Sequence, residues 1–293
     1  MIDPTPVRRI NATLPEPLAQ FVAQITGEGG LYETPSEFVR DLIRRYMEKT
    51  ASAEGKTKYI YAHPTDSALA YMINKDRITA SDGARSNDLV GKSVWSTMTM
   101  ANVYHILNSQ GIATHLVKQV DDVTVLVKRC QMLPIEQVMR RVATGSYLKR
   151  VPTAKEGDRF DPVLVETFLK DDARHDPQIW EKDIIERGFA TKEEVDWMVA
   201  EGRRVFEILE RAWASVDVML VDLKIEFGRD ISGKLMVADV IDNDSWRIWP
   251  GGDKNRMLDK QVYRNLSAVT KQDLQALSDR YALVADLTGK LTV

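Results

Sequence analysis

The sequence predicts an α+β protein in two parts of unequal size. Three observations carry that prediction. Strand-like runs gather between residues 58 and 130, long amphipathic helices come later, and a single hairpin returns near residue 230. That order is not the regular strand–helix alternation of a parallel βαβ array. The first fifty residues keep a pattern of their own. The 293 residues are 44% hydrophobic and 28% charged with a formal net charge of −3, which is ordinary for a globular chain with ample core. No apolar run approaches the roughly 20 residues that cross a bilayer, and the N-terminus has no signal-peptide core. The lone Cys130 excludes an internal disulfide and fits a reducing compartment, so the expected location is cytoplasmic. One cysteine and four scattered histidines give no zinc-type spacing.

In chain order, "RRINATLP" alternates, with Ile10, Ala12 and Leu14 opposite Arg9, Asn11 and Thr13, and predicts a strand. "PEPLAQFVAQITGEGG" predicts a short amphipathic helix closed by Gly29-Gly30. "ETPSEFVRDLIRRYMEK" puts Thr34 at N-cap, Pro35 at N1 and Glu37 at N3, a capping box ahead of a stripe of Phe38, Leu42, Ile43 and Tyr46. One strand and two helices of this size cannot bury enough surface alone, so residues 1–50 should pair with a second copy or pack on a neighbour. "KTASAEGKTK" reads as the join.

Strands are then expected at "KYIYAH", "LAYMINKDRITASDG", "ATHLVKQV" and "VTVLVKRC", with a helix at "GKSVWSTMTMANVYHILNSQ" stopped by Gly111. Thr191 with Glu194 caps a helix running to about Trp213, its inward residues Val195, Met198, Val205, Leu209 and Ala212, and Thr270 caps the last one.

The chemistry is carried by charged residues where strands should be. In "VDLKIEFG", Val221, Leu223, Ile225 and Phe227 share one face and Asp222, Lys224 and Glu226 the other. A two-residue turn at Ser232-Gly233 would set Glu226 opposite Asp239, two carboxylates roughly 5 Å apart. Such a pair repels unless a cation lies between them or one stays protonated, and Mg²⁺, which prefers a carboxylate or two plus phosphate oxygens, would resolve the repulsion. The plain alternative is a half-exposed hairpin with solvated charges. "EGKTK" places Lys56 and Lys58 on one face beyond a glycine turn, suited to polyphosphate but equally to a solvated edge strand. "VMRRVATGSYLKR" sets Arg140, Arg141, Lys149 and Arg150 around "ATGS", an anion site or a surface loop beside a basic helix. "KDDARHDP" is a metal–phosphate site or a polar turn.

Two resemblances follow from these stretches. Over about residues 7–49 the strand–helix–helix pattern and "TPSEFVRDLIRR" resemble the ribbon-helix-helix fold of small bacterial repressors and antitoxins. That likeness implies dimerisation, and DNA contact through Arg9, Asn11 and Thr13. The near-neutral charge of the segment favours a dimerisation module without DNA binding at least as well.

From residue 54 to about 290, "EGKTKYIY", "DRITASDGARSNDLVGK", "MLPIEQVMRRVATGSYLKR", "FLKDDARHDP", "LVDLKIEFG" and "ADVIDNDSWRIWP" closely resemble SAICAR synthetase, especially its animal-type branch. The resemblance implies a two-lobed ATP-binding fold and an ATP- and Mg²⁺-dependent ligase. That ligase joins L-aspartate to the carboxylate of carboxyaminoimidazole ribonucleotide in purine biosynthesis.

Carried over position by position, the resemblance implies metal-holding carboxylates at Glu226 and Asp239, with Asp176 beside them. It implies nucleotide phosphate contacts at Lys56 and Lys58 and an adenine hinge around Met132. Asp222 and Lys224 match substrate contacts near the reacting carboxylate. Arg140, Ser146 and Arg247 match a ribonucleotide phosphate clamp, and Asp82 a further substrate contact. The small, polar "KTASA" departs from the apolar strand that usually leads into the "EGK" turn, so the first strand is expected to be short or replaced. The fusion to a carboxylase domain seen in animal enzymes has no counterpart in these residues. The alternative among enzymes is a same-fold ligase with another acceptor or amine, and the alternative from another class is a DNA-binding regulator using the ligase-like domain as a sensor. The N-terminal module implies a homo-oligomer.

Overall fold

The computed structural model describes residues 13–80 and 83–293. The expected N-terminal strand, with Arg9 and Asn11, and the expected substrate contact Asp82 lie outside the described residues. The chain divides into two compact units, Met1–Ala51 and Ser52–Val293.

In the first unit, α1 (Glu16–Ile25) ends at an extended Thr26, ahead of the expected Gly29-Gly30 stop. Thr26 forms a bridge with Tyr32, and the glycines make the turn between them. The second helix, α2 (Pro35–Thr50), begins at Thr34, whose side chain accepts from the Glu37 amide at 3.2 Å. The reciprocal contact lands one residue earlier than a capping box requires, with Glu37 accepting from the Glu33 amide at 2.8 Å. Phe38 packs against Phe21 and Tyr32, ring centroids 6.3 and 5.2 Å apart. Leu18, Phe21, Leu42, Ile43 and Tyr46 all remain exposed.

The second unit is built on two antiparallel sheets. One has the order β1–β2–β3–β7–β6, from β1 (Ala53–Glu54), β2 (Lys58–Ala62), β3 (Leu69–Asn74), β6 (Leu116–Gln119) and β7 (Thr124–Lys128). The first strand is thus only two residues long, as small polar residues that neither pack nor favour strands would make it. A two-stranded ribbon, β4 (Arg77–Ala80) and β5 (Arg85–Asp88), follows β3, and α3 (Lys92–Ser109) follows the ribbon.

The other sheet runs β11–β10–β8–β9, with β12 (Trp246–Pro250) also pairing with β10 (Val218–Arg229). Its remaining strands are β8 (Gln131–Val142), β9 (Arg159–Leu169) and β11 (Leu235–Ala238). The short helices α4 (Ser146–Arg150), α5 (Glu181–Glu186) and α7 (Gln261–Asn265) serve as connections. Two long helices complete the unit, α6 (Lys192–Ala214), closed by a full Thr191/Glu194 capping box, and α8 (Lys271–Thr288), capped by Thr270. All five inward positions read for α6 are buried, and they pack with Leu223, Ile225 and Phe227 of β10 in one core.

Because β10 is central and covered on both faces, its polar face is also withdrawn from water: Asp222 is 4% exposed and Glu226 2%. A buried strand face carrying charges must supply its own partners. The fold does this by register.

Candidate active site

The hairpin that follows β10 differs from the expected one. Glu226 pairs with Ala238, not with Asp239, and the connection is five residues, from Asp230 to Lys234. Asp230 explains the longer turn: its carboxylate accepts from the amides of Ser232 and Lys234 and from the Ser232 hydroxyl. A one-residue slip would normally turn Asp239 to the opposite face. Asp239, just past β11, instead takes a left-handed conformation, φ 66°. Its carboxylate meets the Lys58 ammonium, and both residues line the same cavity as Glu226. The two carboxylates thus share a cavity for a reason other than the predicted one.

That cavity has a volume of about 490 Å³. Lys56, Lys58, Asp176, Lys224, Glu226 and Asp239, six of the residues singled out from sequence, line it. Glu226 accepts from Lys170 at 2.5 Å and from Lys224 at 2.6 Å. Lys224 also reaches Glu136, which stands opposite Glu226 on β8, at 3.3 Å. Two facing glutamates on neighbouring strands are thereby bridged by one ammonium. Burial pushes the Glu226 pKa up, but Lys224, Lys170 and Lys58 more than reverse this and hold it at about 2. Burial lowers Lys58 to about 8. Lys56 extends to Asp172 at 2.7 Å. Asp176, also left-handed at φ 46°, accepts from the Asp171 amide at 2.8 Å.

A second ion-pair group lines the same cavity. Asp244 accepts from Lys260 at 3.0 Å and from Tyr281 at 2.6 Å, with the Lys92 ammonium 3.7 Å away. Burial raises Asp244, and Lys260 and Lys92 then hold it well below the usual carboxylate range. Asp242, buried and facing Asp244, has its pKa raised, first by burial and then by that neighbour.

Asp222, Arg140, Ser146 and Arg247 are not among the residues lining that cavity; the three charged ones form a ladder beside it. Register sets Asp222 between Arg140 on β8 and Arg247 on β12. It accepts from Arg140 at 2.8 Å and from the Arg247 guanidinium. The other edge of Arg140 donates to Glu166 at 2.6 Å, and Glu166 accepts from Arg150 at 2.5 Å. Three guanidiniums thus share two carboxylates, leaving an excess of positive charge beside exposed Ser146. Gly145, φ 60°, lies against Arg247, and a Cβ there would come 2.5 Å from its Nη2, so only glycine fits. Arg141, expected with Arg140 in this group, alternates to the other face and forms a two-point pair with Glu210 of α6. Met132 is 39% exposed where β8 begins, outside both groups.

Sequence reasoning missed Glu136, Lys92, Asp242, Asp244 and Lys260 as site residues. Glu136 becomes a neighbour of Glu226 through strand pairing alone, and Lys92 is brought in by the first turn of α3; neither has a local signal. Among the described residues no three carboxylate, imidazole or thiolate side chains cluster as a ready-made metal site. No helix among them is long and apolar enough to cross a membrane. Burial pushes the Cys130 thiol up to about 11, which removes it as a nucleophile at neutral pH.

Residues 51–280 match the model of the SAICAR synthetase family. The phosphoribosylaminoimidazole-succinocarboxamide synthase of Herpetosiphon aurantiacus is 58% identical over 82% of this chain and 97% of its own. A bifunctional phosphoribosylaminoimidazole carboxylase/phosphoribosylaminoimidazole succinocarboxamide synthetase of Drosophila melanogaster is 48% identical over 83% of this chain and 58% of its own. A solved SAICAR synthetase in complex with ADP superposes with a TM-score of 0.70 at 31% identity, over 78% of this chain and 96% of the other. With the α+β fold and the paired-charge cavity described above, the chain belongs to the SAICAR synthetase family, as an ATP-dependent ligase of de novo purine biosynthesis.

Proposed function

We propose that the cavity between Lys56–Lys58 and the Glu226 group binds ATP with Mg²⁺, and that the Arg140–Asp222–Arg247 ladder beside it receives the ribonucleotide phosphate. The observation that carries this reading is that buried Glu226 and half-buried Asp239 line one cavity, each already matched by ammonium groups. A carboxylate set of this kind fits a hard, oxygen-seeking cation. Two carboxylates fall short of a complete shell, which suits an ion that completes its coordination with phosphate oxygens and water. When bound, Mg²⁺ would offset charge developing on the transferring phosphoryl group. Asp176 would orient water or a neighbouring ligand.

The chain's own residues do the rest. Lys56 and Lys58 neutralise the nucleotide phosphates, and the strand around Met132 offers backbone groups to adenine. Lys224, held between Glu136 and Glu226, orients the acceptor carboxylate for phosphorylation. Asp222 keeps both guanidiniums aimed, so the ribonucleotide phosphate meets a preset fork. Activation is needed because a free carboxylate is a poor electrophile; as an acyl phosphate it yields to the aspartate amine with release of phosphate. EDTA should abolish ADP formation, and Mg²⁺ should restore it; turnover unaffected by chelation would exclude the metal role. The Drosophila likeness supports an affinity with the animal-type branch, though the bacterial relative is the more similar of the two.

The N-terminal unit we read as a ribbon-helix-helix-like self-association module, supported by the exposed Leu18, Phe21, Leu42 and Ile43 on its two helices. Its near-neutral charge favours this over DNA contact. Phe21→Glu with Leu42→Glu should lower the mass measured by light scattering while leaving turnover intact. An unchanged mass would overturn the module's role.

A further inference from the structure

Asp239 reaches the cavity by a backbone turn that β11 does not supply. The register sets Glu226 opposite Ala238, so an extended residue 239 would turn its side chain away from the Glu226 face. The left-handed φ of 66° reverses this, and the carboxylate meets Lys58. Residues other than glycine visit that region rarely, with Asp among the few that do, and it costs free energy unless neighbours fix it. What fixes it here comes from outside the hairpin.

Tyr104, in the second half of α3, is fully buried at 0% exposure. Its hydroxyl donates to the Asp239 carbonyl oxygen at 2.7 Å. A buried phenol needs a partner for its O–H, and phenylalanine would fill a purely apolar role as well. The ring is held in place by His115, also buried, which stands edge-on to it with centroids 5.5 Å apart and planes at 88°. Backbone bonds tie the strand just before Asp239 to the same region. The Val237 amide donates to the Ala113 carbonyl at 3.0 Å, and the His115 amide donates to the Val237 carbonyl at 3.0 Å. Asp239 is therefore gripped from α3 and from the connection that follows it. Tyr104 is not among the residues lining the cavity, so it acts on a ligand there only through Asp239.

We propose that Tyr104 is a positioning residue for the metal-binding carboxylate, its hydroxyl holding Asp239 in the left-handed turn that aims it at the cation. This rests on the reading of Asp239 as a Mg²⁺ ligand and adds to it a residue that neither touches substrate nor carries charge. Because Tyr104 grips the backbone and not the side chain, the carboxylate stays free to exchange Lys58 for the ion.

The test is calorimetric titration of ADP into wild type, Tyr104→Phe, Asp239→Asn and the double variant, each with Mg²⁺ and with EDTA. The quantity read is the factor by which Mg²⁺ tightens ADP, with folding checked by thermal unfolding. Tyr104→Phe should cut that factor roughly three- to tenfold, the worth of one hydrogen bond, while the Kd for ADP in EDTA stays within about twofold. Asp239→Asn, whose side chain tolerates the left-handed backbone, should cut it further. Adding Tyr104→Phe to Asp239→Asn should then change it by less than about twofold. A merely structural Tyr104 would lower the unfolding temperature and leave the factor unchanged, which would overturn the assignment. So would a Tyr104→Phe effect that persists undiminished in the Asp239→Asn background. Should Tyr104→Phe not fold, His115→Gln, which loosens the ring and keeps the hydroxyl, carries the same test with a smaller reduction. Failure of the metal reading would be seen separately, as wild type whose ADP affinity Mg²⁺ does not raise or as Asp239→Asn with the full factor, and it would take the assignment with it.

Discussion

Glu226→Ala should reduce turnover by roughly 10²–10³-fold or more while the chain remains folded, because it removes the buried carboxylate around which the cavity proposed for the nucleotide is organised. Glu226 balances two ammoniums, Lys170 and Lys224, and its loss leaves both without that carboxylate at the cavity wall. Lys224 retains Glu136 as a partner at 3.3 Å, which limits the structural damage. Circular dichroism should therefore stay close to wild type as ADP release falls. Glu226→Gln should lose nearly as much, since it keeps the shape but loses the charge, and its amide can accept from only one of the two lysines. Activity near the wild-type level in either variant would remove Glu226 from the chemistry.

The second large effect is on stability. Asp222→Ala should cost about 3–5 kcal/mol, because Arg140 is buried at 3% exposure and would lose a carboxylate while remaining charged. Arg247 would lose its partner at the same time. Urea unfolding should show a lower midpoint with an unchanged slope. Asp222→Asn, which preserves the shape, should recover part of the stability while still raising the ribonucleotide KM, because Arg140 and Arg247 would no longer be aimed by a shared charge. An Asp222→Ala variant as stable as wild type would mean that Glu166 alone satisfies Arg140.

These residues differ in how legible they were. Local signals read well: the Thr191 and Thr270 caps, the apolar stripe of α6 and the two faces of β10 were all visible as spacing. What spacing could not supply was pairing between distant strands. The 12-residue β8 was hidden because "QMLPIEQVMRRV" alternates imperfectly and carries charges on its buried face. Without β8 and β9 the central sheet shrank to one hairpin, and Glu136 and Glu166 had no reason to be noticed.

The hairpin itself was misread by one residue, since the Asp230 side chain favours a five-residue turn over the two-residue one. Asp239 nevertheless reaches the cavity through a left-handed backbone, a compensation that no alternation rule anticipates. The motif wording of "LVDLKIEFG" and "ADVIDNDSWR" therefore led to residues that geometry alone would have placed wrongly. Arg141 shows the reverse, a residue grouped by proximity in sequence that strand alternation sends to α6.

The most direct test of the central claim is a coupled assay for ADP and succinocarboxamide with ATP, Mg²⁺, L-aspartate and carboxyaminoimidazole ribonucleotide. Each component should be omitted in turn. Formation of both products, each dependent on all four components, is the predicted result. ADP release that continues without aspartate or without the ribonucleotide, or a folded protein that forms no succinocarboxamide, would contradict the account.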